Sequence, residues 1–134
     1  MIRFEPSIAD DLPRIAEWID ADGDHRGRME PNWWLEGTVL SCCAKDDNGP
    51  VMYLRMDREG DRARMHIQFA PEKQVSKMRV ASAIIDGIPR MVETMANFGF
   101  KALVFDSISS PLINFMTKKM GFIWAGGDDY LRPF

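Results

Sequence analysis

The sequence predicts an α/β fold of the α+β kind: one domain spanning 1–134, with a mixed central sheet of about seven strands and helices on both faces. Three observations carry this. Several short segments alternate apolar and polar residues and are separated by turn residues, the pattern of half-buried strands. One long segment, 76–97, repeats apolar residues at helical spacing. Between two helical patterns, Ala102 to Phe105 is continuously apolar, which marks a strand buried on both faces in a parallel pairing.

The elements follow in order. Ile2 and Phe4 alternate with Arg3 and Glu5, and Pro6 ends that strand. The strand opens the chain directly, with no signal-peptide pattern before it. Ser7-Ile8-Ala9-Asp10 has the form of a capping box, and Leu12, Ile15, Ala16 and Ile19 continue it as a helix, with Pro13 tolerated in the first turn. Residues 20–27 form a polar, acidic loop. Pro31 opens a short second helix carrying Trp33 and Trp34, a pair that reads as sealing that helix on the sheet, with substrate stacking as the alternative. A three-strand meander comes next, over 38–44, 51–56 and 64–69, with hairpin turns at Asp46-Asp47-Asn48-Gly49 and Arg58-Glu59-Gly60-Asp61. Met65, Ile67 and Phe69 share one face of the third strand, with His66 on the other.

In the long helix, Val80, Ile84, Ile85, Ile88, Met91, Val92 and Met95 form the apolar stripe, Pro89 kinks or splits it, and Gly99 stops it. After the Ala102–Phe105 strand, Ser110 caps a helix beginning at Pro111, with Leu112, Ile113, Met116 and Met120 facing inward. The tail pairs as a hairpin across Gly126-Gly127-Asp128-Asp129.

Composition narrows the function classes. The 134 residues carry a net charge of −3, which argues against non-specific nucleic-acid binding, and no apolar run reaches the length of a membrane span. Cys42 and Cys43 are adjacent in a strand and point to opposite faces, so they read as two reduced thiols of a cytoplasmic protein. Most of the ten methionines sit at core spacing and read as core filling. Asp20, Asp22 and Asp24 lack the carboxylate at the twelfth position that a calcium loop needs, so no metal site is expected.

The order of elements resembles the GNAT family of N-acetyltransferases across nearly the whole chain. Ile67-Gln68-Phe69-Ala70-Pro71, followed by a long helix, is similar to the fourth strand and pyrophosphate loop of that family. The run from Ser110 to Phe122, ending Met120-Gly121-Phe122, is similar to its closing helix, commonly Asn-x-x-Ala-x-x-Phe-Tyr-x-x-x-Gly-Phe. The stretch from Phe105 to Ile113 also resembles divergent GNAT proteins carried by tailed bacteriophages, which adds virion association to the expected locations.

The resemblance implies acetyl-CoA (CoA) as co-substrate and a small-molecule or peptide amine as acceptor, with no nucleic-acid or membrane partner and a homodimer left open. The pantetheine arm would bond the backbone at Phe69 and Ala70, and the diphosphate would lie on the first turn of the following helix. The family's Arg/Gln-x-x-Gly-x-Gly/Ala pattern fits there in three registers. Laid on Ser76 to Ala81 it puts Arg79 and Ala81 at the glycines. Shifted by one, it puts Lys77 at the basic position and Val80 and Ser82 at the glycines. Started at Gln74, it puts Lys77 and Arg79 at the glycines. No register restores two small residues with a basic one.

The departures extend to the reacting groups. The slot of the family's tyrosine acid holds Thr117, Ser110 replaces its asparagine, and its glutamate region holds Ala63, Arg64 and Met65. His66 is then the candidate base, as the nearby side chain that titrates near neutrality. His25, in the loop after the first helix, lies where the family often lines its acceptor site. Two readings follow: an N-acyltransferase that relies on proximity and strand-end hydrogen bonding, or a catalytically degenerate binding or structural protein on the same fold.

Overall fold

A computed structural model describes residues 2–134; Met1, the first residue of the expected opening strand, lies outside the described residues. Among the described residues there are seven strands, β1 (Arg3–Pro6), β2 (Leu40–Asp46), β3 (Gly49–Glu59), β4 (Arg62–Phe69), β5 (Ala102–Asp106), β6 (Ile123–Trp124) and β7 (Asp129–Pro133). Three α-helices join them, α1 (Leu12–Ala21), α2 (Lys77–Asn97) and α3 (Ser110–Lys119), with 3-10 turns at Ala9–Asp11 and Pro31–Trp34. The strands form one mixed sheet in the order β1-β2-β3-β4-β5-β7-β6, in which β4 and β5 are parallel.

The chain divides into two compact units. The first comprises the residues up to Met56 together with His66–Gly87; the second comprises Asp57–Met65 and Ile88–Phe134.

In the first unit, β1, β2 and β3 pair antiparallel, and the β2–β3 hairpin closes where Asp46 faces Gly49. Asp46 Oδ1 accepts from the Asn48 amide at 2.8 Å, an Asx turn that fixes the tip. Residues 51–56 of β3 are buried without interruption, so both faces of this strand are covered. Adjacent residues show by what. Tyr53 packs against Trp18 of α1, with ring centroids 5.2 Å apart, and its hydroxyl donates to Asp11 Oδ1 at 2.8 Å. Met52, pointing the other way, lies under Gly87 of α2. A Cβ on Gly87 would sit 2.9 Å from Phe4 Cζ, so the glycine sets how closely α2 approaches the sheet. Cys42 and Cys43 are both buried, and burial pushes their thiols up to about 12 and about 11.

In the second unit, β5 lies between β4 and β7, with Leu103 and Val104 wholly buried. Phe105 stacks on Tyr130 at 5.6 Å and meets Phe122 edge-on at 5.0 Å. Arg64 of β4 ties its strand to three others here, reaching Glu59, Asp106 and Asp129. The outermost strand, β6, is two residues long and leaves Ile123 and Trp124 58% and 67% exposed.

Several expectations shift in detail. The first cap is built one residue later than the Ser7–Asp10 box: Asp11 Oδ2, not Asp10, accepts from the Ile8 amide at 2.9 Å. The α3 cap moves one residue earlier, to Ser109. Pro89 does not split α2, which runs unbroken from Lys77 to Asn97. Pro89 and Ile85, whose carbonyl the proline leaves without its helical bond, are both exposed, so water is at hand to replace that bond. Ala83 is buried in the stripe where Ile85 was expected, and Met78 is exposed rather than core.

Candidate active site

The site is read from the end of β4. The parallel register with β5 covers Arg62 to Arg64 and ends at Arg64↔Val104, while β4 itself continues to Phe69. Its opposite edge stays with β3 beyond the strand end, since the Ala70 amide donates to Val51 O at 3.1 Å. Pro71 then starts a turn in which the amides of Gln74 and Val75 both donate to its carbonyl. Ser76 caps α2, its Oγ accepting from the Arg79 amide at 3.2 Å. A helix start leaves its first amides without intrahelical partners, so a group of backbone donors follows directly on the strand.

The structure separates the basic residues expected there. Arg79 is committed: Nε and Nη2 each reach an Asp46 carboxylate oxygen at 2.7 Å, a bidentate pair. The Arg79 guanidinium holds the Asp46 carboxyl below its usual range, so the pair stays ionised. Lys77 is exposed at the first helical position. Of the residues laid on the glycine pattern, Val80 and Ala81 are half-buried and Ser82 is exposed. A shallow depression of about 230 Å³ beside this turn includes Ser76, Arg79 and Ser82, but also the carboxylates Asp46 and Asp86, a poor lining for a diphosphate.

The polar face of β4 is roofed by the segment between α1 and β2. The apolar pattern of Met65, Ile67 and Phe69 pointed to the buried face; instead Gln68 is fully buried while Ile67 and Phe69 are half-buried. Its amide Nε2 donates to Asp22 Oδ2 at 3.1 Å, Trp18 O at 3.4 Å and Phe69 O at 3.1 Å, and its Oε1 lies 2.6 Å from His25 Nδ1. Two residues back on the same face, half-buried His66 meets Trp33 edge-on at 5.0 Å. Arg55 of β3 lies over the Trp33 ring, 4.0 Å from its centroid, and binds the carbonyls of Trp33, Glu36 and Gly37. Trp34 is buried beside the His25 ring, at 6.2 Å. The tryptophan pair thus seals the short helix, as expected, and also walls both histidines.

On the second unit, Thr117 turns its hydroxyl back on its own helix, donating to Ile113 O at 2.8 Å. That bond takes the proton an acid would have to give. Ser110 lies in the first turn of α3 and is exposed, and the cap position that was its expected role belongs to Ser109.

Sequence reasoning thus picked out His66 and His25 but passed over Gln68, which holds His25 in place. The available signal was its i,i+2 spacing from His66, which puts both on one face.

No family model matches the chain, and no curated protein matches it. Solved structures do. A ribosomal-protein-S18-alanine N-acetyltransferase from Escherichia coli superposes with a TM-score of 0.72 at 13% identity, covering 99% of this chain and 94% of that one. A GCN5-related N-acetyltransferase from Kribbella flavida gives 0.70 at 17% identity over 99% and 98%. The PaiA N-acetyltransferase from Thermoplasma acidophilum, solved with coenzyme A, gives 0.67 at 13% identity over 100% and 99%. At such identities the likeness speaks for architecture alone: this chain has the fold of the GNAT acyl-CoA N-acyltransferases.

Proposed function

We propose that the protein is an acyl-CoA-dependent N-acyltransferase that acts on a primary amine. One observation carries the reading: β4 runs on to Phe69 past its last residue in register with β5, and leads through the Pro71 turn to the capped start of α2. An extended pantetheine arm would bond the backbone of Phe69 and Ala70 as a strand does. The diphosphate would take the first-turn amides of α2 with the Lys77 ammonium. CoA supplies the activated thioester; the chain's own part is to align it and to manage the proton of the amine. Asp46 withdraws Arg79 from this role, and Val80, Ala81 and Ser82 lie past the first turn, the Val80 amide already donating to Ser76 O. His66, beside Trp33, remains a residue of the reacting region.

The test is thermal denaturation with acetyl-CoA and with CoA. At about a hundredfold excess over the dissociation constant, binding to the folded state adds about 2.7 kcal/mol of stability. Lys77→Glu should weaken that binding by about tenfold, the scale of one lost charge-assisted contact.

The second reading, a GNAT-fold binding or structural protein without catalysis, is favoured by two observations. Arg79 is closed off by Asp46, and the Thr117 hydroxyl is spent on Ile113. An unshifted melting curve in millimolar acetyl-CoA selects it.

A further inference from the structure

Glutamine is seldom fully buried, and when it is its amide must be satisfied. Around Gln68 Nε2 stand three groups that can only accept: the Asp22 carboxylate and the carbonyls of Trp18 and Phe69. These fix the amide, with nitrogen toward the acceptors and Oε1 toward His25. An amide oxygen only accepts, so His25 Nδ1, 2.6 Å away, must carry the hydrogen and donate it. Asp22 Oδ2, 3.3 Å from the same Nδ1, stands ready for the charge if the ring is protonated. One tautomer is thereby selected, and the lone pair is left on Nε2. The ring keeps about a quarter of its surface open (24%) and rests beside Trp34. Its anchor, Gln68, directly precedes Phe69, whose backbone is assigned above to the pantetheine arm.

We propose that His25 is the base of the transfer, receiving the acceptor's proton on Nε2 while Gln68 and Asp22 hold Nδ1–H. The proposal rests on the acyltransferase reading. The amine nitrogen forms a bond to the thioester carbonyl carbon, the carbon–sulfur bond breaks, and CoA leaves as the thiolate. Before the attack the acceptor's ammonium has given one proton to His25 Nε2, which passes it to solvent; the second proton, shed by nitrogen as the amide forms, goes to the thiolate, so that ammonium and acyl-CoA become amide, CoA thiol and a released proton. The imidazolium formed on the way is stabilised by Asp22. The other charged or titratable residues of its own turn are Asp24, Arg26 and Arg28; on the packed strands, His66 of β4 and Arg55 of β3 lie against Trp33, the neighbour of Trp34.

The experiment compares two acceptors with acetyl-CoA. Benzylamine is protonated at neutral pH and needs a base; hydroxylamine is already neutral and does not. His25→Gln should lower turnover of benzylamine by about 10²- to 10⁴-fold and remove the acidic limb of its pH–rate profile. Turnover of hydroxylamine and the acetyl-CoA thermal shift should stay as in wild type. Equal loss with both acceptors would make His25 a structural residue and overturn the proposal, as would loss with neither. If the wild type binds acetyl-CoA but acetylates neither amine, His25 is overturned and the cofactor site stands. If it does not bind acetyl-CoA, the acyltransferase reading falls and takes the proposal with it. Should His25→Gln fail to fold, long-range ¹⁵N NMR on the wild type decides. An Nδ1-protonated neutral ring, titrating together with the benzylamine rate, supports the proposal; an Nε2-protonated ring or a separate titration overturns it.

Discussion

Arg55 is a guanidinium 6% exposed that organises backbone rather than substrate. Its contacts with the carbonyls of Trp33, Glu36 and Gly37 gather the end of the short helix, and its charge lies on the Trp33 ring. Only a planar fork reaches several carbonyls while stacking. Arg55→Leu strands those carbonyls and should cost about 1–3 kcal/mol in urea denaturation; Arg55→Lys should recover little of it. Because Trp33 also touches His66, the loss should loosen that wall of the candidate site as well. At this scale the sequence was a partial guide. It marked His66 and His25 by their chemistry, but not the partners that decide which residues are committed. Asp46 pairs with Arg79 from 33 positions away, and no local pattern announces such a pairing.

At the scale of the element, α2 depends on the absence of a side chain at Gly87. The missing Cβ lets the helix rest against Phe4 and Met52. Gly87→Val should destabilise by about 1–3 kcal/mol through overpacking, outweighing the roughly 1 kcal/mol that glycine costs a helix. Pairing it with Phe4→Ala should give less than the sum of the two losses, because the small residue at 4 admits the new methyls. Elements were the legible part of the sequence: each strand and helix was marked by period, proline or turn residues, and their order implied the mixed sheet. Ends were less legible where capping residues come in runs, as in Asp10-Asp11 and Ser109-Ser110, since adjacent residues of one chemistry compete for a single cap. The covered face of β4 was misjudged for a different reason. Alternation separates the two faces, but whether a roof is laid over the polar one depends on the irregular segment between α1 and β2, which has no period to read.

For the whole molecule, the response to acid follows from the Arg64 network. Arg64, with Arg62 behind it, holds the Glu59 carboxyl down at about 2 against an ordinary 4.5, and Arg64 also lowers Asp129. A carboxylate whose folded value is depressed stabilises fully above its unfolded value and loses that contribution as pH falls through the folded one. The melting temperature should therefore hold above pH 4.5 and fall between about 4.5 and about 2. In Arg64→Met the fall should be shallower, with about 1–3 kcal/mol lost at neutral pH; Glu59 keeps 36% of its surface in water, which screens its share. A last consequence concerns how such a chain keeps to itself in a crowded solution. The sheet ends at one margin in β1, four residues closed by a proline, and at the other in β6, only two residues long. Margins this short offer a neighbour too few backbone groups to zip onto. The exposed indole of Trp124, its N–H tied to Gly127 O, therefore stands beside an edge with little backbone for a neighbour to pair.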